Sequence, residues 1–149
     1  MIKEGISDSI NEIMDIWLNS NIDAHSFIDK NYWKSNYEMV KEMLPRADIY
    51  TYIENNKIVG FIGIVDSEYI AGLFVYKSYR SKGIGKKLLD YCKNKYTNLE
   101  LDVYEKNTGA VSFYKNNGVI VEKEQEDENL KEKEYHMKWS KTSKSNIKI

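Results

Sequence analysis

The hydrophobic period of this chain changes partway along, which restricts it to folds that combine helices with a sheet. Up to Pro45 the apolar residues recur at helical spacing. Ile10, Ile13, Met14 and Trp17 form an i, i+3, i+4, i+7 stripe, and Trp33, Tyr37, Val40 and Leu44 form a second. Ser7, Asp8 and Ser9 offer capping side chains ahead of the first helix, whose end is expected near Ser20 in the polar run 19–23. Pro45, the only proline, is expected to stop the second. Three strands then follow in residues 48–54, 57–65 and 68–76, joined by turns at Asn55-Asn56 and Asp66-Ser67. Gly72 lies inside the third, where a glycine marks a bulge or a close backbone approach.

Beyond residue 80 the two periods alternate. Ile84, Leu88, Leu89 and Cys92 run at helical spacing, and Leu99, Leu101 and Val103 alternate with polar residues as in a half-buried strand. Asn107 and Thr108 can cap a short helix through Val111 and Tyr114, with Gly118 just past its end. Two final strands are expected in 119–123 and 134–139, with the charged run 122–134 forming a solvated hairpin. The expectation is one mixed α/β domain over residues 1–140 and a frayed tail over 141–149.

Composition excludes several classes of function. The 22 basic and 23 acidic side chains leave a net charge of −1, so bulk charge does not recruit nucleic acid or a membrane surface. One cysteine excludes a disulfide framework and a multi-cysteine zinc cage, and no metal site is expected. No apolar run has membrane-spanning length and the first residues do not resemble a signal peptide, so the expected location is cytoplasmic. Only two of the basic residues are arginines, Arg46 and Arg80.

Arg80 opens the segment Arg80-Ser81-Lys82-Gly83-Ile84-Gly85-Lys86, which joins a strand to a helix. Taken alone, this loop reads first as a glycine-softened turn with exposed lysines. The second reading is a phosphate cradle, because a helix N-terminus presents unpaired N–H groups and glycines let an anion approach them. A P-loop needs Ser or Thr after Gly85-Lys86, where Lys87 stands, and a dinucleotide fingerprint needs a glycine where Leu88 stands.

Leu73-Phe74-Val75 followed by Arg80-Ser81-Lys82-Gly83-Ile84-Gly85 resembles the acetyl-CoA-binding motif of the GNAT superfamily of N-acetyltransferases. Asn107, Ala110, Phe113, Tyr114 and Gly118 resemble the second signature of that superfamily, with Val119 replacing its usual aromatic. The element order agrees over nearly the whole chain. Trp17, Asn21, Ala24, His25, Phe27, Tyr32 and Trp33 are similar to a subgroup of small bacterial GNAT proteins.

The resemblance implies a mixed sheet with splayed central strands flanked by helices. It also implies acetyl-CoA as cosubstrate, with Leu73, Phe74 and Val75 pairing with pantetheine amides. Arg80, Lys82, Gly83, Ile84, Gly85 and Lys86 would hold the pyrophosphate, and Asn107 would anchor the pantetheine arm. Tyr114 is the catalytic candidate, donating to the departing thiolate; its bland reading is a core tyrosine. The general base stays open among Asp102, Glu68, His25 and water. His25 reads first as a packing residue of the helix connection, and His136 has the weaker claim of the two histidines. Cys92 shares its face with Leu88 and reads as core, which favours direct amine attack in a ternary complex.

The function expected is acetyl transfer to a primary amine: a protein lysine, a protein N-terminus or a small molecule. The alternative is a non-catalytic acetyl-CoA-binding sensor of the same fold. The enzyme is expected to act as a monomer or homodimer.

Overall fold

The computed structural model describes residues 1–6 and 8–141. Strand β1 (Ile2–Glu4) leads into helices α1 (Ile10–Ala24), α2 (Lys30–Ser35) and α3 (Tyr37–Met43). Strands β2 (Asp48–Glu54), β3 (Lys57–Val65) and β4 (Tyr69–Val75) follow, then α4 (Ile84–Lys95), β5 (Asn98–Tyr104), α5 (Thr108–Asn116), β6 (Ile120–Glu126) and β7 (Lys133–Ser140). The strands form one sheet in the order β1-β2-β3-β4-β5-β7-β6. Every neighbouring pair is antiparallel except β4 and β5. Among the described residues no helix is long and apolar enough to cross a membrane.

Both turn pairs read from the sequence have positive φ at both residues: 53° and 61° at Asn55-Asn56, 54° and 59° at Asp66-Ser67. That conformation matches the twist of the strands on either side, and Asn and Asp tolerate it better than most residues. Strand alternation then divides the apolar residues between two faces. Val59, Ile62, Leu99, Leu101 and Met137 pack with Leu88, Leu89 and Cys92 of α4. Ile49, Ile58 and Phe61 pack with Ile13, Met14 and Ile16 of α1 on the other face.

Four local expectations change. Helix α1 continues through the polar run to Ala24, because Ser20 and Asn21 are buried and the Asn21 amide donates to the Trp17 carbonyl at 2.9 Å. The second stripe is two helices, since Asn36 between them donates its side-chain amide to the Tyr32 carbonyl at 2.7 Å. Pro45 lies within a 3-10 turn, Leu44–Arg46, that continues α3. Strand β6 runs on to Glu126, so the first part of the charged run, 122–126, belongs to the edge strand of the sheet, where charge discourages further pairing.

Ser9 takes the N-cap position of α1 without a side-chain cap bond, and Ser7 lies outside the described residues, as does 142–149 of the expected tail. Lys141 itself is held, its amide donating to the Thr97 carbonyl at 2.9 Å. Asn107 caps α5 as expected, and Gly118 follows the C-cap with φ +82°.

Two glycines of this helix should respond oppositely to alanine. Gly109 lies within α5 with nothing near a Cβ, so Gly109→Ala should stabilise by roughly 0.5 kcal/mol. Gly118→Ala should cost about 1–2 kcal/mol through its left-handed backbone. Urea denaturation of both variants tests the pair, and equal shifts of one sign would contradict it.

Candidate active site

Strands β4 and β5 share one registered pair, Tyr69 with Glu100, after which they diverge. On its other edge β4 stays paired with β3, with Leu73, Phe74 and Val75 opposite Ile62, Phe61 and Gly60. The β5-facing backbone of that segment is therefore open, the splay that the resemblance implies. Ala71 is an extra residue in β4, since Gly63 pairs with Gly72 and Ile64 with Ile70. A Cβ on Gly72 would sit 2.4 Å from the Phe74 ring, so this position must be glycine while Phe74 lies where it does.

A cavity of about 490 Å³ opens on the α4–α5 side of the gap. Leu73, Val75, Arg80, Gly83, Ile84, Gly85 and Lys86 line it. Ser81 and Gly83 have φ of +67° and +80°, which coils the loop before α4. The first bond within α4 runs from the Lys87 amide to the Gly83 carbonyl at 3.0 Å, so the amides of Ile84, Gly85 and Lys86 have no partner within the helix. Arg80 donates through Nε to the Val75 carbonyl at 3.2 Å, which holds its guanidinium beside the cavity.

Of the residues expected on this side, Phe74 offers its backbone alone, and Lys82 and Asn107 lie elsewhere. The Phe74 ring is on the opposite face, 5.6 Å from that of Phe61, so only its backbone faces the gap. Lys82 does not line the cavity, its ammonium lying 5.1 Å over the Tyr79 ring. Asn107 lines the second pocket with its amide engaged at both ends.

That second pocket, about 220 Å³, lies on the α1–α2 side of the gap and shares Leu73, Ala110 and Tyr114 with the first. Tyr114 is thus a wall of both. It is 6% exposed, burial pushes its phenol above the usual range, and its hydroxyl makes no hydrogen bond among the described residues. The phenol keeps its proton at neutral pH.

His25 lines the second pocket with both ring nitrogens occupied. Nδ1 lies 3.0 Å from the Asn21 carbonyl, which can only accept, so Nδ1 carries the proton. Asn107 uses Oδ1 to accept from the Ala110 amide at 3.3 Å, which leaves its NH₂ to donate to His25 Nε2 at 3.2 Å. Burial lowers the His25 pKa, outweighing the opposing effect of the Asn21 carbonyl. The ring stacks on Trp33 at 5.1 Å, in keeping with a packing role.

Asp102 is the one candidate base with a carboxylate in the pocket lining. Its Oδ2 accepts from the Tyr69 hydroxyl at 2.8 Å. Its Oδ1 accepts from Gln125 Nε2 at 3.1 Å and lies 2.7 Å from His136 Nδ1. Glu68 is exposed in the turn before β4 and does not line the pocket. Cys92 is fully buried and its thiol is pushed up to about 12 by burial, so it is no acyl carrier.

Several lining residues carry no assignment from the sequence. Phe113 and Ala110 belong to the second motif, and Trp17 and Trp33 to the amino-terminal pattern, so a signal existed for them. Ser81 gave none, because nothing local distinguishes a serine at positive φ.

Known proteins match this arrangement. The profile of the acetyltransferase (GNAT) domain matches residues 20–140. Peptidyl-lysine N-acetyltransferase YiaC of Escherichia coli K12 is 34% identical over 119 residues, 79% of this chain and 82% of that protein. Peptidyl-lysine N-acetyltransferase YjaB of Salmonella typhimurium LT2 is 32% identical over 111 residues, 74% and 76% of the two chains. The solution structure of apo-form YjaB from Escherichia coli superposes with a TM-score of 0.81 at 24% identity, covering 93% of this chain and 96% of that one. The PaiA N-acetyltransferase of Thermoplasma acidophilum, solved with coenzyme A, gives 0.73 at 22% identity, covering 94% and 99%.

The buried histidine has a consequence in acid. With its folded pKa below the unfolded value, about 6.5, His25 binds fewer protons folded than unfolded. Its contribution to stability is complete above pH 6.5 and is lost as pH falls toward the folded pKa. Thermal melts between pH 7.5 and 5 should therefore fall more steeply for wild type than for His25→Phe; parallel slopes would refute this.

Proposed function

From the premise that this chain belongs to the GNAT acetyltransferases, which transfer the acetyl group of acetyl-CoA to an amine, we propose that its acceptor is the ε-amine of a lysine in a polypeptide. The observation that carries the catalytic part is Tyr114, the buried phenol common to the cavities on both sides of the β4–β5 gap. The acceptor class follows the relatives, YiaC and YjaB, which are named for peptidyl-lysine.

In this reading the pyrophosphate of acetyl-CoA rests on the free amides at the start of α4, with Arg80 beside it. Its pantetheine amides pair with the open edge of Leu73–Val75 as an added strand would. Lys86 lines the first cavity but is paired with Asp90, and Lys82 stands over the Tyr79 ring, so both serve only as outlying charge, while Asn107 acts through the α5 cap. The amine nitrogen attacks the thioester carbonyl from the second pocket, forming the C–N bond. The tetrahedral intermediate then breaks its C–S bond; Tyr114 donates its proton to the departing thiolate and is reprotonated by the proton that the new amide nitrogen sheds.

A lysine amine, with an ordinary pKa of about 10.4, arrives protonated and must first give up that proton. Asp102 is the acceptor of choice, directly or through one water. His25 offers no free lone pair and Glu68 stands outside the pocket. With Cys92 buried, transfer is direct, in a ternary complex. The enzyme acts as a monomer or homodimer, and it works in the cytoplasm, where acetyl-CoA is held.

The test is release of CoA thiol with an amine panel, read with mass spectrometry of the products and of this protein's own lysines. N-terminally blocked lysine peptides should become ε-acetylated. Preference for α-amines or polyamines would refute the acceptor, and tight acetyl-CoA binding without turnover would favour the non-catalytic sensor. Tyr114→Phe should lower kcat by about 10–100-fold while the KM for acetyl-CoA stays within about twofold. Asp102→Asn should lower kcat/KM at least about tenfold at pH 7 and recover toward pH 9, as the free amine becomes abundant.

A further inference from the structure

A third cavity, about 390 Å³, lies between α3 and the β3–β4 hairpin on the acceptor side of the sheet. Its walls are apolar, from Val40 and Leu44 on one side and Ile49, Phe61 and Val65 on the other. Its floor is made by a pair of glycines, Gly63 on β3 and Gly72 on β4, which face each other in register. A Cβ on Gly63 would come within 3.1 Å of Ile49, and one on Gly72 within 2.4 Å of Phe74. Neither glycine has room for a Cβ while these neighbours keep their places, so the floor carries no side chain of its own. Arg46 and Asp66 provide polar groups in its lining, and Met43, 55% exposed, adds an apolar side chain open to solvent.

This groove continues the acceptor pocket, with which it shares Trp17, Ala71, Gly72 and Phe74. A polypeptide that delivers a lysine to Tyr114 therefore brings its neighbouring residues to the groove. We propose that the groove is a specificity subsite for one apolar side chain next to the target lysine, an inference that rests on the peptidyl-lysine reading above. Continuity decides the occupant: the wall shared with the acceptor pocket joins the groove to the site of transfer. An apolar hollow gains by exchanging water for an aliphatic side chain, and burying a leucine rather than an alanine is enough for about a tenfold preference.

The experiment compares N-terminally blocked peptides that carry one lysine and differ only in having leucine or alanine immediately before or after it. Wild-type enzyme should show kcat/KM at least about tenfold higher for leucine at one of the two flanks. Met43→Glu, at an exposed position, should bring that ratio within about threefold while changing the alanine peptide less than twofold. Met43→Lys should do the same, which separates loss of apolar surface from the sign of the charge. Thermal melts verify that both variants fold.

A wild-type ratio within about twofold at both flanks overturns the subsite alone, because lysine acetylation itself then stands. So does a preference that survives both variants. Equal losses for both peptides, with a fall in molar mass by light scattering, would make the groove a contact between copies and overturn the proposal. A wild-type enzyme that acetylates free amines and leaves every peptide unmodified overturns the subsite and the peptidyl-lysine reading together.

Discussion

The structure depends on the failure of two adjacent strands to stay paired. A parallel ladder normally satisfies every backbone group along its length, yet β4 and β5 hold one registered pair and then separate. The separation is sustained because each strand is anchored on its far side, β4 by β3 and β5 by seven registered pairs with β7. The parted edges would cost free energy in a dry core. Here they border cavities that reach both faces of the sheet, where a ligand's amides or water can satisfy them. Helix α5 sets Tyr114 against the gap, which makes one side chain a wall of both cavities.

Charge is divided across that gap. The basic residues are almost all lysines, and many are spent on the surface, as in Lys86 with Asp90, Lys95 with Glu4 and Lys138 with Glu122. Such exposed pairs contribute little. What remains for an anion is concentrated at the start of α4, in free amides and the Arg80 guanidinium tethered to the end of β4. The side of the sheet that carries Asp102 has Glu100 and Glu122 around His136 instead. A chain with a net charge of −1 thus presents a cationic surface on one side of the gap and an anionic one on the other.

Much of this was legible in the residues, for identifiable reasons. Element order follows from hydrophobic period, which is local, and the turn pairs follow from residues that tolerate positive φ. The glycine loop and the segment from Asn107 to Gly118 carry short-range constraints that one stretch of chain expresses by itself. What escaped depends on distant partners. Asn21 was read as a helix breaker because its burial could not be foreseen, and Phe74 was grouped with Leu73 and Val75 although alternation turns its ring to the other face. The surroundings of Asp102 come from Tyr69, Gln125 and His136 on three different strands, and no spacing rule joins them. Nor does any local signal show that the Asn107 amide has partners in both His25 and Ala110.

Those partners link the end of α1 to the start of α5: the Asn21 carbonyl, the His25 ring, the Asn107 amide and the Ala110 N–H form one unbroken chain of donors and acceptors. Each link has a fixed direction, so the ring can be neither reversed nor charged without breaking one. The imidazole thereby acts as a gauge block, its width fixing how far the end of α1 stands from the start of α5, the helix that carries Tyr114.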